Sequence, residues 1–185
     1  MTKATDGSGD LIPIANCWIK IPGGEGDSKI ILNNLPDISD SKSAAYSDEP
    51  IIGRSMPLKT YSHSENRVIS TKLHFFITKK SDAALNLRYL RRIESALYPQ
   101  ESDLFAPYKP PVVCELQCGA LLATSGTNPA PVCAILLSYN VTFPTDVAWD
   151  KETYCPYKFD VDCQWHVVYA TNDLPWNSDI ITKGR

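Results

Sequence analysis

The stretch YKFDVDCQWHVVY, from Tyr157 to Tyr169, constrains the fold more than any other part of this chain. Tyr157, Phe159, Val161, Cys163, Trp165, Val167 and Tyr169 alternate with Lys158, Asp160, Asp162, Gln164 and His166. Successive side chains of a strand point to opposite faces, so this is one apolar wall backed by one polar wall. The pattern asks for a β-sheet with a buried side and a wet side. It carries no reaction chemistry, and the rest of the chain must supply its partners.

Three further strands and one helix answer that demand. In RVISTKLHFFITK (Arg67 to Lys79), Ile69, Thr71, Leu73, Phe75 and Ile77 share a face, with Ser70, Lys72, His74 and Thr78 opposite. In PPVVCELQCGALL, Val112, Cys114, Leu116 and Cys118 alternate with Glu115 and Gln117. VCAILLSYNVTF predicts a long strand with Cys133, Ile135, Leu137, Tyr139, Val141 and Phe143 on the apolar face. SDAALNLRYLRRIESALYP predicts a helix over 81–98, capped by Ser81 or Asp82 and stopped by Pro99. Ala83, Leu87, Leu90, Ile93 and Leu97 form its buried stripe, and Arg88, Arg91 and Arg92 lie off it, solvated or facing another subunit. A strand, a helix and three strands with polar reverse faces predict an α+β fold, mainly antiparallel β.

The N-terminal third reads differently. Residues 1–28 are rich in Gly, Ser, Asp and Pro around one apolar patch, IPIANCWIKI, whose Trp18 is a candidate docking residue. Lys29 to Asn66 opens with a short strand and then shows no clear period, with Pro36, Pro50 and Pro57 as breakers. It still carries Ile38, Tyr46, Ile51, Ile52, Met56 and Leu58, too apolar for a linker. Two readings follow: a segment that orders on a partner subunit, or a long loop folded on its own domain. The expected organisation is an extended arm over 1–66, a β domain over 67–170 and a tail over 171–185.

Composition narrows the function. The chain has 185 residues, 43% of them hydrophobic, and suits one domain with a real core. A net charge of −3 argues against binding nucleic acid by neutralising phosphates. The polar start MTKATDGSGD does not look like a signal peptide, and no apolar run reaches the ~20 residues of a membrane span. A cytoplasmic setting, or a particle assembled there, is therefore expected. In that setting the six cysteines, none in a Cys-x-x-Cys pair, read as buried free thiols.

Catalytic and metal motifs are sparse. The glycines of GGEGDSK lack the Gly-Lys-Ser/Thr of a phosphate loop, and Asp37, Asp40, Asp48 and Glu49 lack calcium-loop spacing. His63 lies in a polar loop, His74 and His166 lie on polar strand faces, and there is no Gly-x-Ser-x-Gly elbow. Asn140 opens a glycosylation sequon in mid-strand and is set aside. The expectation is a protein that is not an enzyme, with no cofactor and no metal. Two readings of another class stand beside it. One is a metal-dependent hydrolase using His74, His166 and neighbouring acids; the other is a sugar-binding β-domain built on Trp149, Trp165 and Trp176.

With these elements in order, the chain resembles the tube-and-adaptor proteins of contractile phage tails and related contractile injection systems. The resemblance covers Arg67 to Tyr169. It rests on a strand ending in Phe75 and Phe76, a helix, a Pro110-Pro111 strand closing on Gly119, the run Ser138 to Phe143, and Pro156 before the last alternating strand. The chain departs from that pattern in having TYCP where a glycine usually precedes the proline, in lacking an evident LysM module, and in its long irregular arm. The resemblance implies a tail-tube-like β-sandwich or barrel with one packed helix and a long extended N-terminal arm. It implies a homo-hexameric ring at the tube and baseplate junction, a tube initiator or adaptor, in contact with other tail-tube and baseplate proteins. The repeating tube subunit and a neck or terminator ring are the alternatives within that class. The setting would be the virion tail, assembled in the host cytoplasm, with no membrane contact and DNA passing through without specific binding. Asp160 and Asp162 are then candidate channel-facing residues; Trp18, Tyr46, Ile51 and Met56 are candidate inter-subunit residues.

Overall fold

A computed structural model describes residues 17–23, 29–32, 34–77, 79–101, 108–119, 121–122, 130–152 and 154–168. Tyr169, Trp176, the start of the arm and the 171–185 tail lie outside the described residues. The elements run β1 (Cys17–Lys20), β2 (Lys29–Ile31), β3 (Asp37–Ser41), β4 (Ala44–Glu49), β5 (Leu58–Ser64), β6 (Val68–Phe76), α1 (Lys80–Ser95), β7 (Gln100–Glu101), β8 (Tyr108–Lys109), β9 (Val113–Cys118), β10 (Val132–Thr142) and β11 (Lys158–Val167). The fold is α+β, mainly antiparallel β.

One seven-stranded sheet dominates, in the order β2-β1-β9-β10-β11-β6-β3, with every neighbouring pair antiparallel. The predicted final strand, β11, lies inside it between β10 and β6. Phe159, Val161, Cys163, Trp165 and Val167 are buried, as are Ile69, Leu73 and Phe75 of β6 and Cys114, Leu116 and Cys118 of β9. Phe75 stacks on Phe159 at 5.0 Å, and Phe143 tilts against the same ring at 5.6 Å. At the centre, the indole N–H of Trp165 donates to Thr71 Oγ1 at 2.9 Å. Trp165 can be fully buried because its one polar atom finds a partner inside the apolar wall.

Strand β10 departs from the predicted alternation. Val132, Ala134 and Leu136 are buried and Cys133 is exposed, the reverse of the expected faces. The register to β11 slips between Leu136 and Ser138, leaving Leu137 as the extra residue of a β-bulge. After it the faces exchange: Tyr139 and Val141 pack on the core while Ser138 and Asn140 turn outward. One inserted residue inverts half a strand.

Of the sandwich or barrel that the resemblance implies, the barrel is not closed: among the described residues the sheet ends in β2 on one side and β3 on the other. It is nonetheless strongly curled. Laid flat, its edges would stand roughly 29 Å apart, six steps of about 4.8 Å. Yet β2 and β3 are consecutive, and the chain from Ile31 to Asp37 reaches at most roughly 20–22 Å. The edges must therefore bend towards each other. Leu32 is buried on this crossing and Leu35 packs on the core beside it.

Helix α1 fills the concavity. Leu90, Ile93 and Ala96 belong to the same core as the strand residues. Buried Asn86 donates from Nδ2 to the Phe76 carbonyl at 3.0 Å, at the end of β6, and Arg92 donates from Nη2 to the Ile21 carbonyl at 3.1 Å, just past β1. Those strands each lie second from opposite edges, so the helix ties the two sides of the curl together. Arg92 is thus a structural strut rather than a solvated charge. The N-cap is Lys79, two residues before the predicted Ser81, and its backbone N–H donates to Asp82 at 2.9 Å.

The largest correction concerns the arm. Strands β1, β2 and β3 belong to the main sheet, so the predicted boundary at residue 66 cuts through it. Strands β4 and β5 pair with each other and continue the β3–β6 pair beyond the sheet as a two-stranded ribbon, with Glu65 N–H donating to Ser43 C=O at its base.

The Thr71–Trp165 bond gives a stability test. Thr71→Val keeps the shape but orphans a buried indole N–H and should cost about 1–3 kcal/mol. Trp165→Ala, which also opens a cavity, should cost about 3–5 kcal/mol. Urea denaturation followed by circular dichroism reads both, and Thr71→Ser should recover most of the loss.

Candidate functional site

Two surfaces gather the residues singled out above: the outer face of the sheet and the projecting ribbon. On the outer face the strand register aligns polar side chains in rows. One row runs Asn140, Asp162, Lys72, Asp37 across β10, β11, β6 and β3, and the next runs Ser138, Gln164, Ser70, Ser39. Together they line a shallow groove of about 490 Å³.

Asp160 and Asp162 both lie on this face, as the alternation predicts, and they differ in surroundings. His74 Nδ1 lies 2.8 Å from Asp160 Oδ1, and Lys72 Nζ lies 3.8 Å from Asp160 Oδ2. The other ring nitrogen of His74 sits 3.3 Å from Asp37 Oδ2. Asp162 stands in register between Lys72 and Asn140. At the base of the ribbon, Arg67 grips Asp40 with two nitrogens at 2.6–3.1 Å. The face therefore interleaves both charge signs, and Asp160 is not the bare acid that the sequence suggests.

Nothing on this face converges on a metal. His74 separates the carboxylates of Asp37 and Asp160 instead of pointing with them at one position, and no cluster able to hold an ion occurs among the described residues. His74 and His166 share strand faces but lie roughly 20 Å apart, because their positions along the β6–β11 register differ by six residues. Trp165, offered as a sugar platform, is fully buried and cannot stack on a ligand. Trp149 is partly exposed beside an isolated bridge to Pro156.

No protein-family model matches the chain, and no curated protein matches it. Function must be argued from the molecule alone. No helix among the described residues is long and apolar enough to cross a membrane.

The ribbon collects three of the four candidate contact residues. Tyr46 packs edge-on against Tyr61 at 5.7 Å across the strands, and Lys59 pairs with Asp48 at 2.6 Å. Every residue of β5 is exposed, and Ala45 alone in β4 is partly covered. At the tip a turn closes through Arg54 N–H to Ile51 C=O at 3.1 Å, with Gly53 at φ 89°, the left-handed region that favours glycine. Ile52 is fully exposed and Met56 is 76% exposed, with Ile51 beside them. Trp18, the fourth candidate, lies elsewhere. It is half-buried on the outer face of β1, next to Ile31, with Lys29 Nζ 4.4 Å from its ring centre. Sequence reasoning missed Tyr61 and the pairing itself; the opposed charges of Asp48 and Lys59 around a proline-bounded loop were the available signal.

The cysteines are the remaining reactive groups. Five are buried and Cys133 is exposed. Burial pushes the thiols of Cys114 and Cys163 up to about 12 from the ordinary 9.0, with Asp162 and Cys114 adding to the effect at Cys163. The fold holds both neutral at pH values where the unfolded chain ionises them. Their contribution is intact below pH 9 and is lost as pH rises from 9 towards about 12. The urea midpoint should therefore fall between pH 8 and pH 10.5, and less steeply in Cys163→Ala than in the parent. An equal slope in both proteins would contradict this assignment.

Proposed function

We propose that this protein is a non-enzymatic ring subunit of a contractile tail or injection apparatus, placed where the tube meets the baseplate, as an initiator or adaptor in six copies. The single observation that carries the reading is the ribbon of β4 and β5. It extends for roughly 20 Å, since six residues rise about 3.4 Å each. It exposes both of its faces and ends in Ile51, Ile52 and Met56. A two-stranded ribbon with no third strand and no buried face is marginal in water. Its stability is completed by a neighbouring copy that covers the tip and the Tyr46–Tyr61 pair.

Two other features support the same reading. Among the described residues the sheet ends in the strands β2 and β3, and a strand edge can pair with that of an adjacent copy. The outer face is polar and of mixed charge across four strands. Such a face can border a channel without gripping phosphates, with Asp160 and Asp162 contributing repulsion and Lys72 and His74 moderating it. The order of elements from Arg67 to Tyr169, which resembles the tube-and-adaptor proteins, supplies the particular architecture. In that setting other tail-tube and baseplate proteins are the further partners, and DNA passes through the ring without sequence recognition.

Assembly tests the reading. Native mass spectrometry and negative-stain imaging of the purified chain, alone and with tube ends, should show six-membered rings. The pair Ile52→Asp and Met56→Asp removes the apolar tip without touching the core. It should weaken association at least tenfold, the scale of losing central interface contacts, while the unfolding midpoint of the isolated subunit stays within a degree or two. A parent protein that stays monomeric at high concentration and on tube ends would defeat the proposal. So would assembly indifferent to the two aspartates.

A further inference from the structure

Cys17 and Cys118 face each other across the β1–β9 pair as direct Cα partners. Their peptide groups turn away from one another. The Cys17 carbonyl accepts from Leu32 N–H at 3.3 Å on the β2 side. Cys118 donates its N–H to the Leu122 carbonyl at 3.3 Å, and its carbonyl accepts from Leu121 and Leu122, again on the far side. The pair therefore occupies a non-hydrogen-bonded site of the antiparallel ladder. Such sites bring Cα atoms to about 4.5 Å, inside the roughly 4.4–6.8 Å that a disulfide spans. The two sulfurs already lie 2.8 Å apart, nearer than the ~3.5–4.0 Å of ordinary non-bonded contact.

We infer that Cys17 and Cys118 are an oxidisable pair that closes into a cross-strand disulfide, stapling the four-residue strand β1 to β9. The chemistry needs a two-electron oxidant, and the pair's burial selects a small one, a peroxide. The Cys118 thiolate attacks one peroxide oxygen, the O–O bond breaks, and a sulfenic acid forms as hydroxide leaves. The Cys17 sulfur then attacks the Cys118 sulfur, the S–O bond breaks, and the departing hydroxide takes the Cys17 proton. In sum, two thiols and one hydrogen peroxide give one disulfide and two waters. Cys118 is the partner suited to react first. The Cys17 thiol donates to its sulfur and holds it below the ordinary thiol value, while the same contact and burial push Cys17 up. Burial pushes Cys114, Cys155 and Cys163 up as well. The staple would close a loop across a sequence separation of 101 residues, anchoring a strand that otherwise relies on four residues of ladder.

The folded chain exposed to hydrogen peroxide, then alkylated and digested without reductant, tests this directly. The expected product is a species lighter by two hydrogens in which the peptide bearing Cys17 is joined to the peptide bearing Cys118. Its Tm should exceed that of the reduced protein by something on the order of 5–10 °C. Cys118→Ser should lose both the cross-link and the peroxide-dependent rise. Recovery of Cys17 and Cys118 as separately alkylated peptides from the oxidised wild-type chain would overturn the inference, as would linkage of either to a different cysteine. That readout needs no variant to fold. A linked product with an unchanged or lower Tm would overturn the stapling of β1 to β9.

Discussion

The short connection between β2 and β3 governs the architecture. Consecutive strands at opposite edges of a seven-stranded sheet can be joined by residues 32–36 only if the sheet bends most of the way round. Bending turns the apolar faces of all the strands inward on one core, where Trp165, Phe159, Leu73, Leu116 and Ile30 meet α1. The same bend leaves a seam that strand pairing does not close. Leu32 and Leu35 of the connection across it belong to the core, and Asn86 and Arg92 of the helix bind backbone carbonyls near its two sides. A closed barrel would have no edges and little need of neighbours. Among the described residues this sheet keeps two.

What remains outside the curl follows from what is inside it. Every strand that buries one face must present the other, and the strand register places Lys72, His74 and the acids of β3 and β11 side by side. Cross-strand neighbours of opposite sign are favoured over like charges facing each other, so the outer wall compensates much of its own charge. The β3–β6 pair then outruns the sheet. Beyond Ser41 and Val68 no third strand pairs with them among the described residues, and the chain continues as a ribbon wet on both sides. Exposed apolar groups concentrated at the end of such a ribbon are better understood as unfinished contact than as part of a core.

Much of this was legible in the sequence wherever one face is buried. The alternation of β11, β6 and β9 and the stripe of α1 identified Phe159, Val161, Trp165, Leu73, Cys114 and Ile93 as core, and they are. Reading failed where the periodic signal is absent or interrupted. The strands β3, β4 and β5 bury almost nothing, so no two-residue hydrophobic period marks them. Tyr46, Ile51 and Met56 stood out as apolar residues in an irregular run; that they share a ribbon depends on a pairing, from Glu49 with Leu58 out to Ala44 with Ser64, that composition does not encode. In β10 the apolar run from Val132 to Leu137 hides the bulge, so Cys133 reads as core although it faces solvent. Contacts distant in sequence, such as His74 with Asp160 or Cys17 with Cys118, depend on register and have no local signature.

On the proposed reading, other copies of the chain order the ribbon of residues 44–64, while the core of the curled sheet folds without them. Amide hydrogen exchange measured on dilute subunit and on assembled protein separates these two statements. Slow exchange is expected for Leu73, Val161 and Trp165 in both samples, and fast exchange across 44–64 that becomes strongly protected only on assembly. Protection of the ribbon already present in the dilute subunit, or ribbon amides that stay fast in the assembled state, would contradict it.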